Sequence, residues 1–178
     1  MEKSKRKKFV PDVCPHCTQT TNYDLALDRG SALIVLAVYN AVRRLDRNRI
    51  HVGNEMVRPA TDFPSYRDMV AGGWMTFKME GNMSRPGRHG LITKATDTGE
   101  WLITPKGARF LRGEAVPRVA IVDKTTGHKA YYLNEDTDRV TFSDLMKREV
   151  PFWDVSRNDR IDFLLGIGDN RHMDRLPL

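Results

Sequence analysis

Two short strand-forming runs, joined by a turn and delivered straight into a capped helix, lie between Arg88 and Glu114, and this order leaves few folds open. Leu91 to Ala95 and Glu100 to Thr104 are rich in Ile, Leu, Trp and Thr, the residues that fit a pleated, half-buried surface. The link Thr96-Asp97-Thr98-Gly99 is turn chemistry, with a glycine free to take positive φ. Thr104 is placed to cap the next helix, Pro105 suits its first position, and Gly113 is placed to end it. Three local signals thus agree on one β-hairpin followed by one short helix.

The rest of the chain builds around that unit. Asp28 stands as an N-cap before a helix predicted to run to about Asp46, and its apolar positions cover more than one face, as expected of a helix packed between other elements. Ile50-His51-Val52 reads as a short strand and Gly53-Asn54 as a turn. Ser65 or Asp62 is placed to cap a helix that stops at Gly72-Gly73, and Trp74 to Met79 then alternates like a strand or continues as a buried element. Beyond Glu114, Val116 to Asp123 and His128 to Leu133 form a second hairpin around Lys124-Thr125-Thr126-Gly127, and Thr141 to Arg148 suggests a short helix. Val150 to Leu178 is too apolar for a free tail and should dock on the body or on a second copy.

The segments Gly90-Leu91-Ile92, Trp101-Leu102-Ile103-Thr104-Pro105-Lys106-Gly107-Ala108-Arg109-Phe110-Leu111 and Gly113-Glu114, in that order, resemble the winged helix-turn-helix superfamily, specifically its small bacterial and phage-type proteins. The resemblance implies an α+β fold: a winged helix-turn-helix domain over residues 23–114, preceded by a basic arm and cysteine knuckle (1–22) and followed by a β-hairpin and docked extension (115–178). It also bears on which segment is the recognition helix. Ser65 to Ala71 and Asn82 to His89 compete, and the second is preferred because the family's Gly-Leu-Ile follows the recognition helix directly. Pro86 and Gly87 oppose a long helix there, so a short helix from near Ser84 or an Arg-rich loop is expected.

Charge distribution points the same way. The net charge is +6, and residues 1–8 and 82–112 each carry a net +4, so the positive excess lies in the arm and the winged-helix segment. A phosphate-binding surface needs such a concentration. The expected partner is double-stranded DNA. Arg85 and Arg88 are the candidate base readers, because a guanidinium can donate two bonds to guanine. Ser84 and His89 are expected at phosphates, Lys94, Thr96 and Thr98 on the wing, and Lys3, Lys5, Arg6, Lys7 and Lys8 along the backbone. Trp101, Phe110, Trp74, Phe77 and Trp153 are read as packing residues rather than base-stacking ones.

Cys14-Pro15-His16-Cys17 has the spacing that lets two thiolates face one metal. These are the only cysteines, so a structural Zn²⁺ would need histidines from His51, His89, His128 or His172, or a second copy donating another pair in a homodimer. A metal-free knuckle and a redox pair are the alternatives. A similar pair often precedes the first helix in the resembling proteins, which favours the knuckle.

An enzyme is not expected: no phosphate-cradling Gly-rich loop, G-x-S-x-G elbow or H-E-x-x-H helix occurs. Asp62, Asp68, Glu80 and His89 could be assembled into a metal-dependent nuclease cluster, a third reading behind the DNA-binding regulator and a winged-helix adaptor for a protein partner. No run reaches the roughly 18 to 20 apolar residues of a membrane span, and the basic start lacks a signal peptide's apolar stretch. A cytoplasmic protein of a bacterial host cell is the expectation.

Overall fold

A computed structural model describes residues 8–57, 63–74, 82–96, 99–147, 149–150, 155 and 159–165 of the chain. Its spine is α1 (Arg29–Leu45), and every residue from Ser31 to Val42 in it is buried. A helix apolar on all sides must be enclosed by other elements, and this one is. Asp28 caps its start, accepting from the Ser31 amide at 2.8 Å, and Asp46 in the left-handed region closes its end. The arginines at that end are structural. Arg44 donates to the carbonyls of Phe63 and Glu55, and the Arg43 guanidinium lies 3.8 Å from the centre of the Phe63 ring.

After α1 come β2 (Ile50–His51), a single π turn over Val52–Met56, α2 (Tyr66–Ala71), α3 (Ser84–Arg88), β3 (Ile92–Lys94), β4 (Glu100–Ile103) and α4 (Pro105–Leu111). The strands form an antiparallel sheet ordered β2-β4-β3. Ser65 caps α2 in a full capping box with Asp68. Thr104 caps α4, accepting from the Gly107 amide at 3.0 Å, and Gly113 just beyond the helix has φ +98°. Gly107 has a second reason to be glycine: a Cβ there would lie 2.0 Å from the Leu91 carbonyl oxygen, because α4 presses directly on the chain entering β3.

A second sheet stands beside this unit. β1 (Asn22–Ala26) precedes α1, and β6 (Val119–Asp123) and β7 (Lys129–Leu133) form the later hairpin; β6 is central, so the order is β1-β6-β7. Asn22 pairs with Asp123 and Ala26 with Val119, which ties the segment before α1 to the segment after α4. β5 (Val116–Pro117) pairs with β8 (Arg139–Val140), and α5 (Phe142–Met146), capped by Thr141, packs Phe142 edge-on against Phe110. Near the end of the chain lies α6 (Asp159–Leu164). Ile161 of α6 and Leu165 just past its end enter the core, and Arg112 reaches the buried Asp162 carboxylate at 2.5 Å. Trp74 and Trp101 pack against the core and Phe110 lies within it, whereas Phe77 and Trp153 fall outside the described residues.

Candidate nucleic-acid interface

The segment expected to read bases is a helix, but a five-residue one that leans inward. Pro86 lies in its first turn, where a missing amide hydrogen breaks no helical bond, and its side chain is buried. Gly87 faces the Trp101 ring, with a Cβ there falling 3.4 Å from it. Pro86 and Gly87 therefore hold α3 against the body, while Ser84 stays exposed.

Each expected contact residue has a definite place. Arg85 is ion-paired with Asp28, the α1 cap, so its guanidinium is already matched to a carboxylate. His89 corrects the expectation most sharply: it is fully buried, and its Nε2 donates to the Leu25 carbonyl at 3.1 Å, out of reach of any phosphate. Burial, with lesser help from the Lys106 and Arg85 charges, holds its pKa down at about 4, against the opposing pull of the Leu25 and Pro117 carbonyls. Ser84 is exposed at the start of α3 and Lys94 is exposed on β3. The Thr96 hydroxyl donates to Glu100 at 3.1 Å, which fixes the base of the β3–β4 turn. Thr98, Lys3, Lys5, Arg6 and Lys7 lie outside the described residues, and Lys8 is exposed.

Arg88 belongs to a group that sequence reasoning did not assemble. Its Nη2 lies under the β6–β7 turn, 3.2 Å from where a Gly127 Cβ would stand. With Gly87, His89, Gly90, Lys106, His128, Lys129 and Tyr132 it lines a cleft of about 450 Å³ between the α3–β3 turn, α4 and β7. The Lys106 ammonium donates to the His89 carbonyl and the Tyr132 hydroxyl, both at 3.0 Å, and Tyr132 in turn donates to the same carbonyl at 2.9 Å. Lys129 Nζ stands 3.9 Å from the centre of the Tyr132 ring and Lys106 Nζ 4.7 Å from it. Burial lowers the pKa of Lys106 and raises that of Tyr132. The gathering depends on pairing between α4 and a strand more than twenty residues later, and no local pattern announces it.

The cysteine segment forms a small hairpin. Val13 bridges Thr20, the Cys14 amide donates to the Gln19 carbonyl, and Thr18 closes the turn at φ +58°. Both thiols are free and 3.5 Å apart. Amide hydrogens of Cys17 and His16 point at the Cys14 sulfur and lower its pKa. Among the described residues no group of three or more His, Cys, Asp or Glu side chains converges, so His51, His89 and His128 do not complete a ligand set; His172 lies outside them. Of the carboxylates weighed for a nuclease, Asp68 caps α2, and Asp62 and Glu80 lie outside the described residues. No described helix is long and apolar enough to cross a membrane. No family model, curated protein or solved structure shows significant similarity to the chain.

Proposed function

We propose that the protein is a winged-helix DNA-binding protein of regulator or accessory-factor type. The supporting observation is the order helix, strand, helix, helix, hairpin from α1 to β4 with the strands interleaved β2-β4-β3, the order that a winged helix would have. Arg85 is committed to Asp28 and His89 to the core, so groove contact in this reading falls to Arg88, Lys94, the wing and the basic arm. The test is binding to duplex DNA across a salt series. Affinity should fall steeply and linearly in log–log form as salt rises, with a slope of about −0.9 per phosphate neutralised. Affinity that is absent, or indifferent to salt, overturns the reading.

A second reading concerns the knuckle. Its amide-to-sulfur bonds suit a metal thiolate pair, but only two ligands are present, so a tetrahedral Zn²⁺ would be shared by two copies meeting at the exposed Val10 and Val13. Metal content and mass measured together test it: one zinc per two chains in a dimer is expected. A metal-free protein, or a zinc-bearing monomer, refutes it.

A further inference from the structure

We infer that the cleft between the α3–β3 turn, α4 and β7 is a built phosphate site, with Arg88, Lys106 and Lys129 as its ligands. The inference deepens the DNA-binding reading and rests on it for the source of the phosphate, a nucleic-acid backbone.

Three cations from three different elements converge there. Among the described residues none of them forms an ion pair, although elsewhere Arg47, Arg85, Arg109 and Arg112 each meet a carboxylate. Among the described residues no carboxylate lines the cleft. Glu135 and Glu114 act on Lys106 from outside it, and Glu114 is already bound to Arg109 at 2.9 Å. Cations gathered with no carboxylate in ion-pair contact attract an oxyanion that enters among them.

The donors are also available. Lys106 uses two of its three ammonium hydrogens on the His89 carbonyl and Tyr132 hydroxyl, which fix its position and leave the third. Arg88 offers a planar fork suited to two phosphate oxygens. Lys129 is laid along the Tyr132 ring, which both ammonium groups approach, so Tyr132 positions the pair. The entrance stays open at Gly90, which has φ +70° and no atom within 4 Å of where a Cβ would be.

The full chain is titrated with inorganic phosphate and, separately, with duplex DNA, against chloride at matched ionic strength, while amide resonances of Gly90, His128 and Lys129 are followed. Phosphate should shift these resonances where chloride does not. Arg88→Gln and Lys129→Gln should each weaken phosphate binding about tenfold, the loss of one charge-assisted contact. Lys124→Gln, a basic change on the neighbouring turn outside the cleft lining, should leave it unchanged. Lys106→Gln also disturbs the His89 carbonyl, so the Arg88 and Lys129 variants carry the test. If chloride matches phosphate, or Lys124→Gln is as damaging as Lys129→Gln, the site does not exist, even where DNA still binds in a salt-dependent way. If phosphate binds at the cleft and duplex DNA does not bind at all, the site stands, the DNA reading falls, and the phosphate comes from a free phosphorylated ligand.

Discussion

His89 makes the protein's stability depend on pH between about 6.5 and about 4. The imidazole is fully buried, and its pKa falls from an ordinary 6.5 to about 4. As pH drops below about 6.5 the unfolded chain takes up a proton that the folded chain refuses, so unfolding gains free energy. Stability from this group is therefore complete above about pH 6.5 and is lost as pH falls toward about 4. At 1.36 kcal/mol per pH unit, the whole effect is about 3 kcal/mol. Asp123 and Asp144, whose carboxyls are held below the usual range by backbone amides, lose their contributions lower down and do not confuse the window. Urea denaturation between about pH 7.5 and about pH 4.5 measures the slope. His89→Gln keeps a donor for the Leu25 carbonyl and cannot titrate, so its profile should be flat where the native protein's falls. His89 C–H resonances that titrate near pH 6.5 in the folded protein, or a Gln variant with the same acid loss, would refute the burial argument.

Three further outcomes follow from the packing and charge described above. Gly107→Ala forces a Cβ onto the Leu91 carbonyl and should cost about 2 kcal/mol or more, lowering Tm by about 4–8 °C, whereas Gly90→Ala meets no atom and should cost only about 1 kcal/mol for its left-handed φ; equal losses in thermal melts would contradict the close approach. Arg112→Met strands the buried Asp162 charge and should cost about 3–5 kcal/mol in denaturant titrations, with Arg112→Met/Asp162→Leu recovering most of it; additive losses would mean that the two side chains do not interact. Replacing Lys3, Lys5, Arg6, Lys7 and Lys8 by Ala should shallow the log–log salt slope of DNA binding by about 4, and an unchanged slope would remove the arm from the interface.

Local signals were the legible part of this fold. Caps announce themselves by residue type, so Asp28, Ser65, Thr104 and Thr141 each start the helix their sequence suggests. The all-round apolarity of α1 likewise foretells its burial. Long-range pairing was not legible. Asn22 to Ala26 carries mixed residues with no clean alternation, and only its pairing with β6 makes it a strand. That same sheet brings Lys129 and Tyr132 beside Arg88 and Lys106, so the cleft could not be read from spacing. The error over His89 has a related cause: a histidine in a basic run looks like a phosphate ligand, and the sequence does not reveal that Leu25 lies behind it. The Arg85 partner is hidden in the same way, Asp28 standing 57 residues earlier.

The central place of β6 also has a consequence in time. β1 leaves the ribosome before any of its partner exists, and at about 5–20 residues per second the hundred-residue wait lasts on the order of 5–20 s. Throughout that interval Asn22 to Ala26 has nothing to pair with, and the cation cluster lacks its third wall. The cleft itself is complete only once translation has passed Leu133.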